Sequence, residues 1–171
     1  MHQATIITKH GKGEILQELF ESYGFRLDGY EMNTDQFGTF SGAIPRPDTQ
    51  YNTAQRKILA NLQTISSRYL IASEGAFFPD PVLPVVTMNR ELVLMYDRQE
   101  DYWIFGEAES HDTNYSGAWI ETWGQLVDFA YGVEFPHSTL LISRKPKAPT
   151  NWSDAITIEE LQAQWKQAKT I

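Results

Sequence analysis

The chain has 171 residues, 42% of them hydrophobic and 13% aromatic, with 14 Lys and Arg against 22 Asp and Glu for a formal net charge of −8. That length and apolar content are enough to bury a full core and exclude a disordered segment. The acidic balance argues against duplex nucleic acid as a partner, which needs a basic face, and with no cysteine there is no disulfide, thiolate zinc site or cysteine nucleophile.

Met1-His2-Gln3 lacks the basic and apolar regions of a signal peptide, and no apolar run approaches the roughly 18 residues of a membrane span. A cytoplasmic protein without a membrane partner is the expectation.

Ala4 to Thr8 reads as a short buried strand. Ile15, Leu16, Leu19, Phe20 and Tyr23 at helical spacing predict a helix over Glu14–Tyr23, stopped by Gly24. Arg26–Tyr30 is a second strand, followed by a long polar loop, Asn33–Asp48, with Gly38, Gly42, Pro45 and Pro47. A loop of that length in a compact domain suggests a ligand-covering lid or a functional segment. Thr53–Ser67 carries Ala54, Ile58, Leu62 and Ile65 on one face and predicts a helix with Thr53 as its N-cap. Tyr69–Ala72 is an apolar strand ending at Ser73-Glu74-Gly75.

Closely spaced strands follow over Val82–Val86, Glu91–Tyr96 and Tyr102–Glu107, with a hairpin turn at Asp97–Asp101. Trp123–Tyr131 is a helix, Thr139–Ser143 a strand, and Ile158–Lys169 a terminal helix with Thr157 and Glu160 in capping-box spacing. The pattern predicts an α/β fold in one domain over residues 1–150, its mixed central sheet flanked by helices. Residues 151–171 form a helical extension packed on the domain or on a partner subunit.

Three polar clusters stand where strands end or loops open. Thr8-Lys9-His10-Gly11-Lys12 opens the first helix, where backbone amides and the helix dipole suit a phosphate and the lysines add charge. It lacks the spacing of a Walker A loop, and a basic solvated turn is the alternative. Glu74, followed by Gly75, suits Mg²⁺, which takes one or two carboxylates beside phosphate oxygens and water; a strand-end salt bridge is the alternative. Thr34-Asp35-Gln36 offers Asp35 as a second metal carboxylate or as a turn-forming residue. Arg46, Arg56, Lys57 and Arg144 are further cations, most simply solvated, with Arg56 the one that could stabilise phosphate charge.

With those residues in hand, positions 4–76 resemble the inosine/xanthosine triphosphatase family of nucleotide pyrophosphatases. Ile7-Thr8-Lys9-His10-Gly11-Lys12 stands where that family has Ala-Thr-x-Asn-x-x-Lys, with His10 in place of Asn and the Lys spacing shifted. Ala54-Gln55-Arg56-Lys57 and Ile71-Ala72-Ser73-Glu74-Gly75 resemble its Ala/Arg/Lys-rich helix and Gly-Ile-Glu-Gly-Gly strand end, with Ala76 at the second Gly. The resemblance implies Glu74 as metal and substrate ligand, with Asp35 as the loop acid. Thr34 through Gly42, Ala72-Ser73-Glu74-Gly75 and Phe135-Pro136-His137 together resemble an uncharacterised bacterial domain family that names no activity.

The resulting expectation is a Mg²⁺-dependent hydrolase of nucleoside triphosphates or related phosphorylated small molecules. Thr8, Lys9, His10, Gly11, Lys12, Arg56 and Gly75 would bind phosphate, and Asp35 and Glu74 would serve metal and catalysis. The rival readings are a non-catalytic nucleotide- or anion-binding module, and an interaction protein whose aromatic second half forms a homodimer surface.

Overall fold

A computed structural model describes residues 1–8, 12–32, 49–143, 153–155 and 157–169. The first elements are β1 (His2–Thr8), α1 (Lys12–Ser22), β2 (Phe25–Glu31), α2 (Gln50–Asn61), β3 (Tyr69–Pro79), β4 (Thr87–Asp97) and β5 (Tyr102–Ser110). They are followed by α3 (Trp123–Gly132), β6 (Leu140–Ile142), β7 (Ser153–Ala155) and α4 (Ile158–Lys169). The fold is mixed α/β, as the strand and helix pattern predicts. None of the described helices is long and apolar enough to cross a membrane.

The central sheet has five strands in the order β2-β1-β3-β4-β5, with β1 parallel to both β2 and β3, and β4 and β5 added antiparallel. The chain leaves β1 for β2 on one side and then crosses to β3 on the other. Right-handed crossovers in opposite directions put their helices on opposite faces. Alternation along the strands shows it: Ala4, Ile6 and Ile71 pack with Leu16 and Phe20 of α1, whereas Ile7, Leu70, Ala72, Leu92 and Leu94 pack with Ala54 and Ile58 of α2. Gly24 ends the turn after α1 at φ +80°, a conformation that other residues adopt only with strain.

Several boundaries differ from those read in the sequence. Helix α2 begins at Gln50 because Thr49, not Thr53, is its N-cap, its hydroxyl accepting from the Asn52 amide at 3.2 Å. Thr53 is inside the helix, donating to the Thr49 carbonyl at 2.9 Å. The helix stops at Asn61, short of Ser67, and Arg98 takes the carbonyls released there, reaching those of Leu62 and Ile65. Strand β3 does not end at Ser73-Glu74-Gly75. It loses its β1 partner after Ala72 but stays paired to β4 as far as Pro79 opposite Thr87. The stretch Val82–Val86 is the connecting turn rather than a strand, because the Asp80 carboxylate accepts from the amides of Val82 and Leu83, both at 2.7 Å. Strand β7, absent from the sequence reading, pairs with β6.

The described residues fall into two compact units, one from the chain up to Asp112 and one from Thr113 onward. In the second, Leu126 and Ala130 of α3, Leu140 of β6, Ala155 of β7 and Leu161 of α4 form a separate core. A capping box opens each of its helices, Thr122 with Gln125 and Thr157 with Glu160.

Candidate functional site

The order β2-β1-β3 makes the carboxyl end of β1, where its pairing with β3 stops, a topological switch point, where open α/β sheets bind their ligands. The register sets Ile7 of β1 beside Ala72 of β3, so the strand brings Glu74 just past the end of β1. Alternation then turns Glu74 to the α2 face, with Leu70 and Ala72. From the helix, Thr53, Lys57 and Asn61 are buried at intervals of four residues beside Ala54 and Ile58. Lys57 Nζ meets Glu74 Oε1 in an ion pair whose side chains are 11% and 5% exposed, so each charge is withdrawn from water and balanced by the other.

The first turn of α2 is tied to the sheet beside this pair. Gln50 Nε2 donates to the Glu74 carbonyl at 3.0 Å and to the Arg90 carbonyl at 2.9 Å, bridging β3 and β4. Arg90 in turn donates from Nε to Glu109 of β5 at 2.7 Å and lies 4.7 Å over the Phe78 ring.

Of the residues singled out from sequence, Glu74 is buried at the strand position described, and Thr8 is the buried last residue of β1. Alternation gives Thr8 the face of Ala4 and Ile6, opposite to that of Glu74. Lys12 is the first residue of α1. Lys9, His10, Gly11, Asp35, Arg46, Arg144 and the proposed lid over 33–48 lie outside the described residues. Arg56 is exposed on α2, about 100° around the helix from Lys57, so the neighbouring lysine is the cation that reaches the sheet. The space beside Gly75 belongs to Glu91, since a Cβ there would strike the Glu91 carboxylate.

Lys57 reads from sequence as a cation but not as the partner of Glu74, and Gln50 and Arg90 are not legible there at all. The signal for Lys57 is its position four residues after Thr53 and next to Ile58, on the buried side of the helix. No local pattern marks Gln50 or Arg90, which meet where the first turn of α2 packs on β3 and β4.

Two other polar pairs brace the sheet. At the start of β3, Arg68 donates to buried Asp97 from Nε at 3.0 Å and from Nη2 at 2.7 Å. The Arg68 hydrogen bond, helped by the Gln99 and Glu100 amides, holds the Asp97 carboxyl below the usual carboxylate range. At the β3–β4 turn, His111 pairs with Asp80 at 2.7 Å, and the backbone amides of Leu83 and Val82 with His111 lower the Asp80 pKa. The second unit has an apolar groove of about 460 Å³ lined by Val127, Ala130, Tyr131, Phe135, Pro136, Thr157 and Ile158. Its lining carries no carboxylate, imidazole or amine to do chemistry, so the buried ion pair is the stronger candidate.

A family model described as a domain of unknown function (DUF6671) matches residues 57–170, a span that starts at Lys57 and includes Glu74. No curated protein and no solved structure matches the chain.

Proposed function

The chain belongs to the DUF6671 family, a domain of unknown function, and we propose that it is a magnesium-dependent hydrolase of nucleoside triphosphates or related phosphorylated small molecules. One observation carries the reading: the buried Lys57–Glu74 pair beside the switch point in the parallel part of a mixed sheet. A phosphate bound together with a divalent cation presents the complementary two charges. Such a ligand would replace the ion pair, placing phosphate oxygen on Lys57 and the cation on Glu74.

The donor chemistry fits magnesium, which accepts one or two carboxylates and fills its shell with phosphate oxygens and water. Glu74 would hold it, with Asp35, outside the described residues, as the second carboxylate. Bound there, magnesium would polarise the phosphoryl group as a Lewis acid. Lys57 would neutralise charge that builds on the phosphate oxygens as the bond to the leaving group breaks. Residues 9–12, which follow β1 in the chain, would bind the remaining phosphate, and the resemblance of residues 4–76 to the inosine/xanthosine triphosphatases supports the same substrate class.

A second reading, a nucleotide- or anion-binding module without turnover, is favoured by the same pair seen differently. Lys57 already neutralises Glu74, so a metal must compete with a buried ammonium. Phosphate and pyrophosphate release from a panel of nucleoside triphosphates, in magnesium and in chelator, separates the two. Metal-dependent release that Glu74→Gln abolishes supports the hydrolase. Nucleotide binding without release selects the module, and neither binding nor release sinks both.

A further inference from the structure

We infer that the α1 face of β4 and β5, together with the outward stripe of α1, is the contact surface between two copies of this chain. A helix is about 10–12 Å across and strands lie about 4.8 Å apart, so one helix covers about two strands. Helix α1 covers the β2 side of its face. Leu16 and Phe20 pack with Ala4, Ile6 and Ile71, and the Leu27 amide of β2 donates to Gln17 Oε1 at 3.0 Å. Among the described residues of this unit no second helix lies on that face, which leaves β4 and β5 bare. Strand β4 records the difference: Leu92 and Leu94 on the α2 face are buried, whereas the equally apolar Val93 and Met95 on the α1 face are only partly buried. Beside them on β5, Ile104 opposite Met95 and Tyr102 opposite Asp97 are 45% and 46% exposed, and Gly106 opposite Val93 has open space above it.

The flank of α1 that borders this floor is apolar as well. Ile15, Leu19 and Tyr23 recur every four residues and are 78%, 53% and 74% exposed. Leu19 is about 200° around the helix from Gln17, which reaches β2, so it points the other way, across the sheet. Ridge and floor therefore lie side by side, each about one helix wide. A two-fold rotation sets the ridge of each copy on the floor of the other, the self-complementary arrangement of an isologous dimer. The area also suffices. These side chains together expose on the order of 500 Å² of apolar surface, so two copies bury about 1,000 Å², the least that a specific interface needs. Each copy carries a formal charge of −8, so the apolar band and not charge must drive the association. Lys57 and Glu74 are on the opposite, α2 face and stay clear of the contact.

Sedimentation equilibrium of the full chain tests this against the 19.6 kDa of one copy. Wild type should approach twice that mass at micromolar concentration. Leu19→Asp and Ile104→Asp should each weaken the dimer about a hundredfold or more, since each puts an unpaired charge into the contact. Both positions are exposed in the single chain, so both variants should keep the wild-type circular dichroism. Val85→Asp, at a 94% exposed apolar position in the β3–β4 turn, adds the same charge elsewhere and should leave the dimer intact. A wild type that stays monomeric at every concentration would overturn the inference and leave the face to another occupant. A dimer that survives Leu19→Asp would overturn it too. If Ile104→Asp alone then dissociates that dimer, the copies join edge to edge through β5 instead.

Discussion

Glu74 and Lys57 are 4% and 9% exposed, and a carboxylate and an ammonium so withdrawn from water depend on each other. Replacing either alone leaves a buried charge uncompensated, at a cost of about 3–5 kcal/mol, whereas replacing both with apolar residues of similar size is close to neutral. Glu74→Leu and Lys57→Met should therefore each lower the denaturation midpoint strongly, and the double variant should return near wild type. A urea double-mutant cycle reads this directly; additive losses would mean the two do not act as a pair. The folded double variant is also the control that separates loss of function from loss of fold. Asp97 makes a different prediction. Its carboxyl is depressed mainly by the Arg68 hydrogen bond, so the stability it contributes is present above its unfolded pKa of about 3.9 and is lost as pH falls through the lower folded value. Asp97→Asn should melt earlier than wild type at pH 7, and the gap should close in acid, below about pH 4. A gap independent of pH would assign Asp97 a role other than its charge.

At the scale of elements, α2 carries the candidate lysine, and its start decides where that lysine points. Thr49 caps the helix, and Gln50 fastens the next residue to two strands. Thr49→Ala should cost about 1 kcal/mol by thermal or chemical denaturation, the usual loss for an N-cap hydroxyl. A loss within error would show that Gln50 alone holds the helix start. The period-3.6 spacing of Ala54 and Ile58 was legible in the sequence, as was the helix itself. The cap was not, because Thr49 and Thr53 are equally good capping residues four positions apart, and the choice rests on where β3 lies. Strand β3 shows the same limit. Its apolar start predicts a strand, but Glu74-Gly75 continues it only because β4 supplies a partner after β1 ends. The stretch Val82–Val86 reads as a strand from its valines alone, until the Asp80 carboxylate takes the two amides that a ladder would have used.

Over the whole molecule, local pattern is enough for the class of fold: strand and helix periods differ, and alternating apolar runs with helical stripes leave few arrangements other than an α/β sheet with added antiparallel strands. The same patterns carry most of the helices and strands, the turn at Gly24 and the capping box at Thr157. What Glu74 meets depends on packing between distant segments. Lys57 is 17 positions earlier in the chain and Leu92, opposite Glu74 on β4, is 18 later, and one arrives by helix packing, the other by cross-strand register. The separate core around Leu126, Leu140 and Leu161 was likewise invisible in local pattern, since each of its helices reads as amphipathic whatever it packs against. Periodicity records which side of an element avoids water. The residue that covers that side is chosen by contacts distant in the chain, which no spacing within one element encodes.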